Sequence, residues 1–382
     1  MRRTIFTEDH EAFRASAQEF IDRTARPLAQ EMIRAHGIPR EVWREAGRQG
    51  LLGLSIPEEY AGSWAGDYRF NAVLAEEQAR LSAALASCMG IHSDVCPPYL
   101  VAHGTEEQKQ RWLPGIATGE LIIAIAMTEP SGGSDLAALK TTAVRDGGDW
   151  VLSGSKTFIT NGRSCDLVIV AARTDPSKGA KGITLFVLEA GMDGFTKGEP
   201  LDKVGQDEAD TCELFFEDVR VPDGHRLGEE GRGFITMMEH LTQERVGSAV
   251  TNTAHAAQIL SETLDYTKER RAFGQSIGAF QHNKFLLAEL VTTIDVTQAF
   301  VDQCVLAHSA GELSPVDAAK AKWWSAQTQG EVLDACVQLH GGYGFMNEYR
   351  VARAWRDARV TRIWAGSNEI MKEIIGRDLG LG

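Results

Sequence analysis

Several features that mark secreted or membrane proteins are scarce in this 382-residue chain. Its six cysteines are scattered, and no two have zinc-ligand or redox spacing, so we expect reduced thiols in a cytosol-like compartment. No apolar run follows the basic start Met1-Arg2-Arg3, and no stretch approaches the ~20 apolar residues that span a bilayer. We therefore expect a cytoplasmic protein without signal peptide or membrane segment.

Positive charge is also scarce, because the formal net charge is −14. An acidic excess repels phosphate backbones and anionic membranes, which argues against a nucleic-acid or membrane partner. His340 has no partner at metal-ligand spacing, so we expect no metal site. The chain has no internal repeat and no low-complexity tract, and its length indicates two or three globular domains.

The secondary-structure patterns follow the order helices, strands, helices. Helical spacing of apolar residues marks the first third, where Thr105 and Gln108 form a capping-box pattern. Short apolar runs between Gly, Asp and Ser turns then predict strands at 121–126, 150–152, 167–171, 183–188 and 212–216. The pattern becomes helical again after residue 233. We predict an α+β fold with an N-terminal all-α domain at 1–124, a central β domain at 125–228 and a C-terminal α-helical bundle at 229–382.

Four segments carry patterns that suit a ligand site. Residues 126–135 leave a strand and enter a glycine turn whose backbone N–H groups can approach a phosphate, although they match neither the Walker loop nor the dinucleotide fingerprint. Residues 150–162 indicate a strand, a glycine corner and a hairpin turn at Asn161-Gly162. Residues 338–345 contain two adjacent glycines, and residues 270–274 read Arg-Arg-Ala-Phe-Gly. Each segment alone is equally well explained as a loop that only connects secondary-structure elements. The occurrence of all four segments in this order is therefore the informative feature.

Together these segments resemble the acyl-CoA dehydrogenase family, over essentially the whole chain. The C-terminal half is most similar to the long-chain and isovaleryl-type branch, in Gln243-Glu244-Arg245 and in residues 368–373. The resemblance implies an α-helical domain, a β-barrel-like domain and a four-helix bundle, assembled as a homotetramer with bound FAD. It also implies α,β-dehydrogenation of a fatty or branched acyl-CoA to the trans-2-enoyl-CoA, with electrons passed to electron-transfer flavoprotein.

The same resemblance assigns contacts to individual residues. Met127 and Thr128 would contact the isoalloxazine ring, Gly133 and Ser134 the pyrophosphate, and Ser134 also the pantetheine arm. Phe158 would pack against the flavin, and Thr160 would bond near its N5 atom. Contacts to a neighbouring subunit's FAD are implied for Arg270, Phe273, Gln281, Gln338, Gly341 and Gly342. Ser367 and Glu369 fall at cofactor-side positions, and Gly366 and Arg245 at substrate-side positions.

The position of the catalytic base needs a separate argument. An α-proton next to a thioester is a weak acid, so a carboxylate must remove it, while donors stabilise the thioester oxygen. Many family members carry this glutamate in a Glu-Gly-Thr or Glu-Gly-Ser segment, but the chain has Ala365-Gly366-Ser367 there. Either the protein is inactive or the base lies elsewhere. Glu244 matches the earlier position used by the long-chain and isovaleryl branches.

Helical spacing agrees with that assignment, because Met237, Leu241, Glu244 and Ser248 fall on one stripe. A glutamate in such a run is ordinarily exposed to solvent. Because the usual position of the base holds Ala365, we instead expect Glu244 to point into a cleft. We expect Glu244 to be the base and the Ala365 backbone N–H to serve the thioester oxygen. Arg245 lies near the CoA arm or forms an ion pair, and these alternatives stay open.

Three functional alternatives also remain at the level of sequence. One is an acyl-CoA oxidase or flavin monooxygenase on the same fold. Another is a non-catalytic subunit that binds FAD or acyl-CoA. The third is an enzyme acting on acyl groups held by a carrier protein. Acyl chain length depends on a pocket floor around residues 91–99, where Pro97-Pro98 reshapes the chain.

Overall fold

The computed structural model describes residues 3–381, so Met1 and Arg2 of the basic start lie outside the described residues. In the N-terminal part, α1 begins directly after Thr7. At α7, Thr105 Oγ1 accepts from the N–H of Gln108 at 3.3 Å and Gln108 Oε1 accepts from the N–H of Thr105 at 3.0 Å, which confirms the capping box. The helices are α1 Glu8–Phe20, α2 Ala29–Ala35, α3 Arg40–Arg48, α4 Arg69–Leu81, α5 Ala83–Gly90, α6 Cys96–His103 and α7 Glu106–Ala117.

A single π-helical turn, Ile91–Val95, connects α5 to α6. Such turns insert an extra residue into a helical path and occur often at functional sites. Here the turn directs Ile91, Asp94 and Val95 towards a large internal cavity.

The central part is a twisted mixed sheet. Its strands are β1 Ile123–Ala126, β2 Thr142–Asp146, β3 Asp149–Ile159, β4 Leu167–Arg173, β5 Ile183–Glu189, β6 Phe195–Lys197, β7 Cys212–Pro222 and β8 Arg226–Leu227. They pair in the order β6-β7-β3-β2-β4-β5-β8, and β1 joins β4 in parallel.

The predicted hairpin at Asn161-Gly162 is wrong. The strand before this turn, β3, pairs with β2 and β7, whereas the strand after it, β4, pairs with β1, β2 and β5. The hairpin lies one connection earlier, where β2 and β3 meet across Gly147-Gly148 with Asp146 opposite Asp149. Asn161 instead donates its side-chain amide to the carbonyl of Cys88 at 2.9 Å, so this turn ties the sheet to α5.

The C-terminal part is a bundle around one long helix. Its helices are α8 Gly233–Glu269, α9 Gln281–Ser309, α10 Pro315–His340, α11 Arg350–Ala358 and α12 Asn368–Asp378, with a two-residue ladder of β9 Arg271–Ala272 and β10 Gln275–Ser276 between α8 and α9. Met237 of α8 belongs to the same buried cluster as Tyr99 of α6 and Leu185 of β5. Helix α8 therefore packs against both other parts of the chain.

Helix α9 departs from the expectation that no stretch suits a bilayer. Within residues 3–381 it is the one helix long and apolar enough to cross a membrane by length and composition, with a mean hydropathy of 1.2 over its most apolar window. The pattern was missed because acidic residues such as Glu289 and Asp295 interrupt the apolar run. A single helix of this kind is weak evidence, since core helices of soluble proteins meet the same test.

Candidate active site

A cavity of about 720 Å³ opens where the three parts of the chain meet. Its walls come from α4, α5 and the π-turn on one side, from the ends of β1 and β3 on another, and from α8 and the loop before α12 on the third. Ten of the residues assigned in the sequence analysis line it: Met127, Thr128, Gly133, Ser134, Phe158, Thr160, Glu244, Arg245, Ala365 and Gly366.

A buried ion pair holds the wall that follows β1. Lys156 Nζ donates to Glu129 Oε1 at 2.9 Å and to the carbonyl of Met127 at 3.0 Å. Burial alone would raise the pKa of Glu129, but the charge of Lys156 and the donors of Thr141 and Lys140 lower it to about 2. Burial lowers the pKa of Lys156 to about 8, so both groups are ionised at neutral pH. The pair fixes the backbone of Met127 and Thr128 at the cavity.

Phe158 is held in an uncommon conformation at the end of β3. Its φ of 59° lies in the left-handed region, which costs a non-glycine residue roughly 1–2 kcal/mol. Its side chain lines the cavity and is 68% exposed, instead of packing into the core. Trp364, which also lines the cavity, has a buried indole N–H without a hydrogen-bond partner among the described residues. An open aromatic face and an unpaired donor fit a large flat cofactor such as a flavin.

Glu244 faces the same cavity from α8. Leu241 and Ser248 line the cavity with it, whereas Met237, assigned to the same stripe, packs into the core. Tyr99 Oη donates to Glu244 Oε1 at 3.2 Å. Burial raises the pKa of Glu244 to about 7, against the lowering effects of the Tyr99 hydrogen bond and of Arg245. The carboxyl group is therefore poised to gain and lose a proton near neutral pH.

Among the described residues, Arg245 forms no ion pair with its neighbour Glu244, although both residues line the cavity. Its side chain is 6% exposed, and its Nε has no hydrogen-bond partner among residues 3–381. Burial lowers the pKa of the guanidinium, and the charge of Glu244 partly offsets this. The group remains ionised, because an arginine pKa lies far above neutrality. It is a buried positive charge directed at the cavity wall.

The loop before α12 brings two left-handed residues to the cavity. Ala365 has a φ of 51° and Gly366 a φ of 83°. The φ of Gly366 favours glycine, and a Cβ atom there would displace the flexible end of Met371, whose Cε would lie 2.5 Å away. Beneath the loop, Lys322 Nζ donates to the Gly366 carbonyl at 2.6 Å. Ser367 caps α12 by accepting from the N–H of Ile370 at 3.4 Å.

Sequence reasoning missed a second, half-buried carboxylate at the cavity, Asp94. It accepts hydrogen bonds from Tyr68 Oη at 2.9 Å, Asn71 Nδ2 at 2.9 Å and Gln243 Nε2 at 2.9 Å. Burial raises the pKa of Asp94 to about 6 despite these donors, and its charge contributes to the raised pKa of Glu244. The available signal was an acidic residue inside the segment 91–99, for which the sequence predicts a pocket floor.

The remaining assigned residues lie away from this cavity. Arg270, Phe273, Gln281, Gln338, Gly341 and Gly342 are all exposed, and Phe273 is 95% exposed with a φ of 52°. Arg270 lies over the ring of Tyr343 at 5.5 Å, which brings the segments around 270 and 343 together on one surface. Glu369 is exposed at the start of α12, next to Ser367. None of these residues is among those that line the cavity.

Three family models cover the chain from end to end. The N-terminal, middle and C-terminal domain models of acyl-CoA dehydrogenase match residues 7–120, 124–219 and 231–380. The chain therefore belongs to the acyl-CoA dehydrogenase family, whose members are FAD-binding oxidoreductases.

Individual relatives agree with this assignment. The chain is 45% identical over 383 residues to the mitochondrial long-chain specific acyl-CoA dehydrogenase of Rattus norvegicus, covering 99% of this chain and 88% of that protein. Its fold matches an acyl-CoA dehydrogenase from Geobacillus kaustophilus with a TM-score of 0.96 and 44% identity, covering 98% of both chains. A Bacillus anthracis acyl-CoA dehydrogenase complexed with FAD matches with a TM-score of 0.92 and 29% identity, over 99% of this chain and 70% of that one.

Proposed function

We propose that the chain dehydrogenates a fatty or branched acyl-CoA at its α and β carbons, with Glu244 as the base that removes the α-proton. The observation that carries this proposal is the Glu244 carboxyl group, which lies in the cavity with a pKa of about 7. A base with a pKa near the working pH combines a large ionised fraction with adequate basicity. The Tyr99 hydrogen bond orients one oxygen and leaves the other free for the substrate.

The second requirement is stabilisation of the thioester oxygen while negative charge develops on it. We assign this to the backbone N–H of Ala365, since a backbone donor needs no side chain. The left-handed loop is held by the cap at Ser367 and by Lys322, so the donor is fixed before substrate binds. Arg245 adds positive charge at the same wall, which favours an anionic reaction state.

The residues around Phe158 fit the flavin of FAD. Met127, Thr128 and Thr160 would hold the ring from the sheet side, and Gly133 and Ser134 would leave room for the pyrophosphate. FAD, when bound, supplies the two-electron acceptor for the β-hydrogen. The side chains of the cavity bind the acyl chain, exclude water and hold the α-proton on Glu244.

We further propose a homotetramer whose FAD sites are shared between subunits. The support is an exposed surface that carries Arg270, Phe273, Gln281, Gln338, Gly341 and Gly342. Exposed apolar side chains accompany these residues along the chain, since Phe345 is 84% exposed and, on α9, which begins at Gln281, Val296 is 60% exposed. Exposed apolar surface of this extent favours burial against another copy. The same burial explains an apolar α9 without a membrane.

For the electron acceptor we propose electron-transfer flavoprotein, in a cytoplasmic location. The discriminating experiment reduces the holoenzyme anaerobically with acyl-CoAs from C4 to C18, straight and branched, and then adds air or an artificial acceptor. Slow reoxidation in air supports a dehydrogenase. Rapid reoxidation with stoichiometric hydrogen peroxide would identify an oxidase, and absence of FAD would identify a non-catalytic subunit. Parallel assays with acyl carrier protein thioesters test the carrier alternative.

A further inference from the structure

Lys322 of α10 is a charged side chain in an unusual place. It is 0% exposed, and among the described residues its Nζ donates to the Gly366 carbonyl at 2.6 Å. Burial disfavours the charged form of a lysine, and one neutral carbonyl replaces little of the water that the ammonium group loses. An apolar side chain of the same length would suit the core of the bundle better, so the charge indicates a task beyond packing.

The geometry suggests that Lys322 holds the conformation of the loop above it. Ala365 and Gly366 are consecutive left-handed residues, and alanine does not favour that region. Such a conformation persists only where the surroundings determine it. Ser367 anchors the loop at its helix end, and Lys322 anchors it from below through Gly366. Removing the lower anchor releases the Gly366–Ser367 peptide, which lies two peptide bonds beyond the Ala365 N–H.

The charges around Lys322 also indicate a role at this loop. Burial, together with the charge of Arg245, lowers the pKa of Lys322 to about 8, and Glu369 of α12 partly offsets this. Arg245 of α8 is itself buried, with an unpaired Nε among the described residues. The positive charges of Lys322, bonded to the loop, and of Arg245, which lines the same cavity, therefore act on each other. In a water-poor site, fixed charges stabilise a developing anion more strongly than they do in water.

We propose that Lys322 is a positioning residue, which fixes the Ala365–Gly366 backbone against the substrate thioester and makes that end of the cavity electropositive. The inference rests on the proposed function, because it assumes that the thioester oxygen is bound at Ala365. Lys322 acts through the loop and does not touch the substrate.

The test compares Lys322→Met with Lys320→Met in the FAD-loaded enzyme. Lys320 lies on the same helix, is partly exposed and pairs with Asp317 at 2.8 Å, so it controls for the chemical change alone. Loss of oriented donors or a misplacement of ~1 Å lowers a rate by roughly 10²-fold, so kcat of Lys322→Met should fall by about that factor. Its KM for acyl-CoA should stay within about threefold, because ground-state contacts are kept. Lys320→Met should match the wild type.

A second readout avoids turnover altogether. The thioester 4-dimethylaminocinnamoyl-CoA absorbs at longer wavelength when its carbonyl group is polarised by the site. Bound to wild type and to Lys320→Met, it should show the full red shift. Lys322→Met should lose more than half of that shift while still binding, and Lys322→Gln, which keeps a neutral donor, should lie between.

The inference is overturned if Lys322→Met keeps both the full red shift and a kcat within threefold of Lys320→Met. It is also overturned if Lys322→Met and Lys322→Gln both fail to fold while Lys320→Met folds, because Lys322 would then serve the bundle itself. A wild-type enzyme that turns over no acyl thioester would refute the proposed function instead. In that case the red shift of the probe still decides the role of Lys322.

Discussion

Glu244→Gln removes a proton acceptor and keeps the shape of the side chain. The glutamine Oε1 can still accept from Tyr99 Oη, which lies 3.2 Å from the present carboxylate, so the geometry of the cavity should persist. Removing a general base lowers a rate by ~10²–10⁴-fold. At about 1.4 kcal/mol per factor of ten, this corresponds to about 3–5 kcal/mol of lost transition-state stabilisation. FAD content and acyl-CoA binding should remain near those of the wild type.

The same substitution should stabilise the protein at alkaline pH. The pKa of Glu244 is raised from 4.5 to about 7 in the folded chain. A carboxyl group with a raised folded pKa contributes stability that is complete below its unfolded pKa and is lost as pH rises through the folded pKa. Glutamine does not titrate, so at pH 8 the free energy of unfolding of the variant should exceed that of the wild type by up to about 3 kcal/mol. This difference in stability should vanish towards pH 4. Thermal unfolding at both pH values measures it.

Turnover is measured anaerobically with an artificial electron acceptor, and Glu239→Gln is the matched control. Glu239 lies on the same helix and its side chain is 54% exposed, so this change should leave turnover unaffected. If Glu244→Gln keeps more than about a tenth of wild-type kcat, the loss falls short of general-base removal and the assignment is wrong. Asp94, the half-buried carboxylate that also lines the cavity, would then be the next candidate.

Three further outcomes are expected. In wild type, kcat/KM should rise with pH through about 7, because only the ionised Glu244 accepts a proton, and a limb near 4.5 would contradict the burial of this group. The double variant Glu244→Gly, Ala365→Glu should regain part of the activity lost in Glu244→Gly, as both positions line one cavity, and no recovery in stopped-flow reduction would show that they address different atoms. Lys156→Met leaves the 4% exposed Glu129 side chain without its cation and should cost roughly 3–5 kcal/mol in urea unfolding, whereas Lys178→Met at the surface should cost almost nothing.

The order of the domains and the family were accessible from sequence, because they depend on local patterns. Helical and strand periodicity separates the three parts, and glycine turns such as Ser131-Gly132-Gly133 carry their own signature. The helix cap at Thr105 could be predicted for the same reason, since donor and acceptor are three residues apart. These features need no knowledge of how distant segments pack.

Contacts between distant segments were not accessible. Tyr99 meets Glu244 across 145 positions, and Asp94 meets Gln243 across 149. Nothing in a single sequence specifies which helix faces which, so the Asp94 carboxylate was missed. Strand pairing failed in the same way: Asn161-Gly162 has hairpin chemistry, but β4 pairs elsewhere. Local turn propensity was outweighed by the pairing of the whole sheet.

The proposed position of the base on α8 would also explain why the loop tolerates an alanine. A carboxylate on a 37-residue helix is placed by helix packing and by the Tyr99 hydrogen bond, not by the loop. The loop then contributes backbone alone, and what it needs is a fixed conformation, which Ser367 and Lys322 supply. A glutamate at 365 would have to act from a left-handed backbone position without a helix behind it. Any rescue by Ala365→Glu should therefore be incomplete and should depend on Lys322.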